Sequence, residues 1–187
     1  FRRQGQGEVL AGYEWEFHLI ESKEANAWCM PGGKVAFYSG ILPICKDETG
    51  VAVVMGHEVA HAVAKHGSER MSQGLVLQMG GMALSEAVKN KPAQTRNLFM
   101  TAFAVGAQFG AVLPYSRSHE SEADRMGLIF MALAGYDPRE APVFWERMAS
   151  GGGGNPPEFM STHPSHETRI RELQENMAEA MGYYQPR

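Results

Sequence analysis

The twelve-residue stretch GHEVAHAVAKHG, residues 56–67, constrains this chain more than any other part of it. It places His57, Glu58 and His61 in a run that is otherwise mostly small or apolar. Burying ionisable groups is costly unless something pairs with them. His57 and His61 are four residues apart, so a helix puts both imidazoles on one face, where they can bind one metal ion. The HExxH pattern therefore predicts a metal site on a buried helix.

Glu58 suggests what such a metal site does. It lies one step round the helix from the two histidines, beside the metal ion and not bound to it. A general base must stand there to take a proton from metal-bound water. Zinc in a hydrolase has three protein ligands and one open position, so we expect a third ligand downstream.

The candidates for that third ligand lie in SHESEAD, residues 118–124. Glu120 and Asp124 are four residues apart and share a helix face, whereas Glu122 points elsewhere. Glu120 is therefore the predicted ligand. Asp124 would accept a hydrogen bond from a ligand histidine and fix its tautomer. We expect His119 and Glu122 to lie at a solvated helix start.

Composition limits the domain organisation and the partners. The chain has 187 residues, of which 44% are hydrophobic and 20% charged, and its formal net charge is -4. These values predict a single domain, residues 1–187, and no nucleic-acid partner. The chain starts at Phe1 without a signal-peptide pattern, so we expect a processed or trimmed form. We favour free thiols over a disulfide between Cys29 and Cys45.

Periodicity predicts an α+β, mainly helical fold with a small antiparallel sheet next to the HExxH helix. Residues 13–20 alternate between apolar and polar, which is typical of a half-buried strand. Residues 26–30 and 35–42 also appear extended, and the turn PGGK separates them. The three segments predict an antiparallel meander.

The helix that carries HExxH has start and stop signals. Asp47 or Thr49 is the predicted N-cap, and Gly67 is a suitable residue just beyond the C-terminus. His66 points away from the predicted metal face, so we expect a structural role for it near the helix end.

Two apolar stretches, residues 74–88 and 98–113, flank a polar turn and predict a helical hairpin. Neither reaches the ~20 apolar residues of a membrane span, so a soluble hairpin is the main interpretation. The alternative is a hairpin that touches a bilayer or a membrane partner. Because methionine suits adaptable apolar surfaces, the hairpin could also form a wall of a substrate cleft or a lid over it.

Further helices are predicted downstream. One is capped by Ser116 or Ser118 and ends at Gly135, a second runs from residues 137–138 to about residue 149, and a third covers residues 167–181. The run GGGGN, residues 151–155, predicts a mobile loop.

These motifs together resemble a known family. GHEVAHAVAKHG followed by ESEAD is similar to the zinc metallopeptidases of the CAAX prenyl protease, HtpX and Oma type, family M-48. NAWCMPGGKVAFYSGIL and STHPSHETRI extend the resemblance to about residues 26–170. It implies a zincin-like, gluzincin fold and one Zn²⁺ held by His57, His61 and Glu120. The long apolar spans of integral-membrane members are missing, so the chain resembles the soluble, periplasmic or membrane-associated bacterial branch.

The resemblance also favours a role near the metal for His163, either as an oxyanion donor or as a fourth zinc ligand that closes the site. The alternative is a loop histidine that caps the last helix. Arg169 would anchor that loop by an ion pair, unless it is an ordinary surface arginine. By resemblance, a peptide substrate would add as a strand at Asn26, Ala27 and Trp28, unless Trp28 belongs to the core.

The predicted function is a zinc-dependent endopeptidase that acts on unfolded or misassembled polypeptides, with Glu58 as its base. One alternative is a latent, metal-bound chaperone-like or binding module for envelope proteins. Another is a purely structural zinc with four closed protein ligands. The presence of Glu58 favours the first interpretation. We expect a periplasmic or membrane-associated protein of the bacterial cell envelope, and the oligomeric state stays open.

Overall fold

The fold is known from a computed structural model that describes residues 10–150, 158–163 and 168–187. The mainly helical α+β prediction is confirmed. The predicted loop at residues 151–155 lies outside the described residues. The strands are β1 Glu16–Ile20, β2 Ala27–Met30 and β3 Lys34–Tyr38, and the helices are α1 Leu42–Cys45, α2 Glu48–Val63, α3 His66–Ala87, α4 Ala93–Ala107, α5 Leu113–Leu133, α6 Glu140–Ser150, α7 Glu158–Thr162 and α8 Arg169–Met181.

The sheet has the strand order β1-β3-β2, with β3 in the centre. β2 pairs antiparallel with β3, as expected for a tight turn. β1 pairs parallel with β3, with Glu16 opposite Lys34, so the predicted antiparallel meander is wrong for the first strand. All five residues of β1 are exposed, including Phe17 at 63% and Leu19 at 66%, so the strand is not half-buried. The alternation of apolar and polar residues in β1 does not show with which strand, or in which direction, β1 pairs.

The start of α2 follows the prediction and its end does not. The Asp47 side chain accepts hydrogen bonds from the backbone N–H groups of Thr49 and Gly50, which makes Asp47 the N-cap. α2 ends at Val63, and Lys65 adopts the left-handed conformation with φ of 61°. The predicted stop residue Gly67 lies inside α3 instead. A non-glycine residue at positive φ is uncommon, so sequence patterns do not anticipate it.

The chain divides into two compact units. The first joins Phe1–Lys65 with Glu120–Arg187 and contains most of the hydrophobic core. α2 contacts β2, α1 and α6 within this unit. Its large, fully buried apolar side chains include Ile41, Leu128, Met131, Phe144, Met148, Phe159 and Leu173. The HExxH helix thus lies in the centre of a packed core.

The second unit, His66–His119, is a hairpin of α3 and α4. Gly80 and Gly81 pack against the ring of Phe103 across the hairpin. His66 and His119 stack with ring centroids 4.1 Å apart, and Glu69 accepts a hydrogen bond from His119 at 2.9 Å. His119 is only 4% exposed, so the expectation of a solvated position for it is wrong.

α4 runs into α5 through a π-helical segment, Gln108–Val112. Ser116 and Ser118 therefore lie inside a helix and do not cap one. The joined helix, Ala93–Leu133, is long and apolar enough to cross a membrane, and its most apolar window has a mean hydropathy of 1.4. The sequence pattern predicts two separate helices here, and their union in one continuous helix gives a candidate span by length and composition.

Both cysteines are free thiols, as favoured. Burial raises the pKa of Cys29 and of Cys45 to about 12, from an ordinary value of 9.0. At about pH 8, three added pKa units leave about 1000-fold less thiolate than in an unfolded chain. We expect iodoacetamide to label both thiols at least about 100-fold more slowly in the native chain than in urea, measured by mass spectrometry. Equal labelling rates in the two states would contradict this.

Candidate metal centre

Four ligand side chains converge on one point. His57 and His61 come from α2, Glu120 from α5, and His163 follows α7. Their ligand atoms all lie within 4.8 Å of one another. His57 Nε2 lies 3.1 Å from His61 Nε2, 3.2 Å from His163 Nδ1 and 3.3 Å from Glu120 Oε2. The predicted third and fourth ligands are thus close to the HExxH pair.

These distances and donors fit a zinc ion. Zinc binds histidine nitrogen and carboxylate oxygen at about 2.0–2.2 Å in tetrahedral geometry, which places neighbouring ligand atoms about 3.3–3.5 Å apart. Glu120 is fully buried, and its Oε2 atom is only weakly paired, at 3.3 Å from His57 Nε2 and 3.5 Å from Arg169 Nη1. A buried carboxylate oxygen with such weak pairing is costly, and a metal ion between Glu120 and the histidines would bind it directly.

Asp124 and Arg169 contact His57 at Nδ1, the ring nitrogen that does not face the other candidate ligands. Asp124 Oδ1 accepts a hydrogen bond from His57 Nδ1 at 2.9 Å and another from Arg169 Nη2 at 2.6 Å. Because Nδ1 is engaged, Nε2 of His57 is the nitrogen that faces the other ligands. Arg169 is 0% exposed, so the interpretation as a surface arginine is wrong.

Aromatic rings surround this buried arginine. The guanidinium carbon of Arg169 lies 3.3 Å from the ring centroid of Trp145, and Trp145 stacks on Phe159 at 5.7 Å. The edge of Trp145 also meets the His57 ring at 5.4 Å. Cation–π contact stabilises a desolvated guanidinium. Sequence reasoning missed Trp145 and Phe159, because on an apolar helix face they look like ordinary core residues.

The two HExxH histidines have pKa values shifted in opposite directions. Burial alone lowers the pKa of His57, but hydrogen bonds to Asp124 and Glu120 raise it to about 9. Burial lowers the pKa of His61 to about 3, which keeps this imidazole neutral. Burial opposes the ionised form of Glu120, yet hydrogen bonds from the three histidines hold its pKa below the ordinary value. Metal binding here would displace protons from histidine nitrogen.

Glu58 is buried beside the four candidate ligands. It is 3% exposed, and its Oε1 atom lies 3.3 Å from His163 Nε2. Burial raises its pKa above the ordinary 4.5, while the backbone N–H of Cys29 donates a hydrogen bond to it. A carboxylate whose pKa is raised by burial is a stronger base. β2 thereby orients Glu58 through its backbone.

His163 does not cap the last helix. The N-cap of α8 is Thr168, whose own side chain makes no cap hydrogen bond. His163 is 8% exposed, and its Nδ1 atom lies 3.2 Å from Glu120 Oε1. The structure therefore places this histidine beside the other three candidate ligands and next to Glu58.

The predicted substrate strand lies at a sheet edge, because β2 pairs with β3 on one side only among the described strands. Ala27 is 2% exposed, so its side chain belongs to the core, whereas Trp28 is partly exposed. The backbone N–H of Phe159 donates to Ala25 O at 3.0 Å. This bond links the start of β2 to the helix that precedes His163.

The backbones of α2 and α5 approach closely beside the ligands. A Cβ atom on Gly56 would lie 2.8 Å from the carbonyl oxygen of Gly127, and one on Gly127 would lie 3.0 Å from the backbone nitrogen of His57. A side chain at either position would push the helices apart. The two glycines therefore set the distance between His57 and Glu120.

The Gly127→Ala change tests this contact. We expect it to lower the free energy of unfolding by roughly 1–3 kcal/mol, because the added methyl forces a backbone shift. Zinc affinity should fall with it, measured by chelator competition. Gly74→Ala is the control, since a Cβ at Gly74 meets nothing within 4 Å, and it should leave both quantities unchanged or raise stability slightly. Equal effects of the two changes would contradict the role of the close approach.

Comparison with known proteins agrees with this geometry. The model of peptidase family M48 matches residues 7–177. The mitochondrial metalloendopeptidase OMA1 of Schizosaccharomyces pombe is 39% identical over 173 residues, which cover 91% of this chain and 49% of that protein. The mitochondrial metalloendopeptidase OMA1 of Homo sapiens is 32% identical over 178 residues, 92% of this chain and 34% of that protein.

A bacterial relative is the beta-barrel assembly-enhancing protease of Escherichia coli K12, 29% identical over 161 residues, 83% of this chain and 33% of that protein. This chain thus spans about half the length of the fission-yeast relative and about a third of the other two. The family match includes the HExxH helix, Glu120, Asp124 and His163. The chain belongs to peptidase family M48.

Proposed function

We propose that this chain is a zinc-dependent endopeptidase that hydrolyses peptide bonds. The observation that carries the proposal is the convergence of His57, His61 and Glu120, with the buried carboxylate of Glu58 beside them. When bound, zinc supplies a Lewis acid that polarises a carbonyl and lowers the pKa of water. A structural zinc alone would give no reason to bury Glu58.

Each residue has a distinct part in this proposal. His57, His61 and Glu120 would hold the zinc ion, and Asp124 orients His57 through its hydrogen bond to Nδ1. Glu58 takes a proton from the attacking water and passes it to the leaving amine as the peptide bond breaks. Arg169 balances the negative charge of Asp124.

We infer that His163 closes the site as a fourth ligand in the conformation described here. Its Nδ1 atom lies 3.2 Å from both His57 Nε2 and Glu120 Oε1, and its Nε2 atom faces Glu58. These contacts support closure over oxyanion stabilisation, because a donor to substrate would not occupy a ligand position. A latent chaperone-like or binding module is the second candidate function, and the same contacts favour it.

The substrates proposed are unfolded or misassembled polypeptides, bound as an added strand along β2 at Asn26, Ala27 and Trp28. The position of β2 at the sheet edge among the described strands, with the backbone of Cys29 next to Glu58, supports this route. We propose a location in the bacterial cell envelope, either periplasmic or membrane-associated. A bacterial relative named for assembly of β-barrels and the exposed apolar helix support that location.

Casein cleavage with and without a chelator tests the peptidase proposal, together with zinc analysis of the purified chain. We expect one zinc per chain and cleavage that chelator abolishes and added zinc restores. His163→Ala should raise the rate at least severalfold, because it opens the fourth position. His18→Ala, which removes an exposed histidine from β1, is the control and should change nothing. Absence of chelator-sensitive cleavage in both the parent and His163→Ala would favour the binding module.

A further inference from the structure

The helical hairpin of the second unit leaves an unusual amount of apolar surface uncovered. Within α4, none of the residues is buried. Large apolar side chains with between 49% and 69% exposure are Met71, Leu75, Val76, Met79, Met82, Leu98, Phe99, Val105 and Phe109. So many exposed large apolar side chains on one helical hairpin indicate a place of interaction.

The exposed side chains form stripes on both outer sides of the hairpin. On α3 the stripe runs through Met71, Leu75 and Met79, whereas Gly80 and Gly81 on the other side face the ring of Phe103. On α4 and the π-helical segment that follows, the stripe runs through Leu98, Val105 and Phe109 and also points away from the partner helix. A helix lying on a membrane surface keeps one polar face. Apolar stripes on both outer sides instead fit immersion in an apolar medium.

The charges of the hairpin are segregated at its two ends. Residues 71–85 and 97–116 contain no Asp, Glu, Lys or Arg. At about 1.5 Å per residue the second stretch is about 30 Å long, which matches the ~30 Å of a bilayer's hydrocarbon core, and the first is about 22 Å long, enough to be immersed in it without crossing it. The charges at the tip are Glu86, Lys89, Lys91 and Arg96, and those at the base are Glu69, Arg70 and Arg117.

This distribution favours lipid over another protein as the occupant. A docked protein leaves the outer rim of a helix free to carry charge, whereas hydrocarbon excludes charge around the whole circumference of both helices. The tip carries three cations and one anion, a surplus that complements anionic phosphate headgroups.

We propose that the α3–α4 hairpin is immersed in the hydrocarbon of a lipid bilayer, with the cations at its tip at the headgroups. This inference deepens the membrane association proposed above and rests on it. It does not depend on the metal centre, because the immersed residues belong to the second unit alone. The ligand is the bilayer itself, and the probe is a lipid vesicle.

Flotation of the full chain with phosphatidylcholine vesicles, with and without phosphatidylglycerol, tests the proposal. We expect the chain to float with both kinds of vesicle and to bind more tightly with phosphatidylglycerol. Leu98→Glu should weaken the apparent vesicle affinity at least about tenfold, because it places a charge in hydrocarbon. Leu19→Glu is the matched control, since Leu19 is 66% exposed and Leu98 is 69% exposed. This control should leave vesicle affinity within about twofold, as expected for a charge that stays in water.

Three results would overturn the proposal. They are failure of the chain to float, equal loss of binding in the two variants, and a stable dimer in lipid-free solution that Leu98→Glu dissociates. Casein cleavage by each variant is measured without lipid in parallel. If the parent chain cleaves casein but does not float, the hairpin inference alone is refuted, whereas a parent chain that floats but does not cleave casein refutes the peptidase proposal alone.

Discussion

Replacement of Glu58 by glutamine is expected to lower kcat of the zinc-loaded chain by about 100- to 10,000-fold. Glutamine has nearly the same shape as glutamate and cannot accept the proton from water. Glu58 is 3% exposed, so no bulk solvent base can take its place. Turnover of a fluorescent peptide, measured with zinc content for each sample, gives the change in kcat directly.

Zinc binding separates loss of the base from loss of the site. Glu58→Gln should keep one zinc per chain and its affinity within about tenfold, since Glu58 is not among the ligands. Glu146→Gln, an exposed change on α6, should leave kcat unchanged. Full activity of Glu58→Gln would rule out the proposed proton transfer, even if the zinc remains bound.

Replacement of Arg169 by methionine is expected to lower the free energy of unfolding by about 3–5 kcal/mol. Methionine fills much of the same volume, but Asp124 and Glu120 are then buried without their cation. The contact with the Trp145 ring is lost as well. Urea unfolding of the metal-free chain measures the effect, and zinc affinity should fall about 10- to 100-fold as Asp124 loses its position.

Arg171→Met is the matched control on the same helix. The Arg171 side chain is 67% exposed, and its ion pair with Glu175 lies in water, so its loss should cost less than about 1 kcal/mol. Arg169→Lys keeps the charge and should recover part of the stability. If Arg169→Met and Arg171→Met destabilise the chain equally, the buried guanidinium does not balance the carboxylates as inferred.

The shared face of each pair of candidate site residues could be predicted, because helical spacing decides it. His57 and His61, and Glu120 and Asp124, are pairs four residues apart, and such pairs share a face wherever the helix lies. The N-cap Asp47 is equally local, since its side chain bonds to backbone groups two and three residues ahead. Shared helix faces and N-caps depend only on residues a few positions apart, so they can be predicted before the fold is known.

Other features depend on neighbours that a pattern does not identify. The parallel pairing of β1 with β3 is set by tertiary packing, and both directions give the same alternation. Lys65 adopts the positive φ that usually favours glycine just after a helix. Sequence patterns therefore favour the nearby Gly67 as the residue that ends α2. Trp145 acts on Arg169 from a different helix, and its sequence context is that of any apolar helix face.

The late position of Arg169 along the chain has a consequence for biosynthesis. Glu120 and Asp124 are translated long before the guanidinium that neutralises them, and α8 must fold back before these carboxylates can be buried. A ribosome-bound polypeptide that ends before residue 169 therefore lacks the cation that pairs with these carboxylates, so we expect the candidate metal centre to form only after α8 has been synthesised.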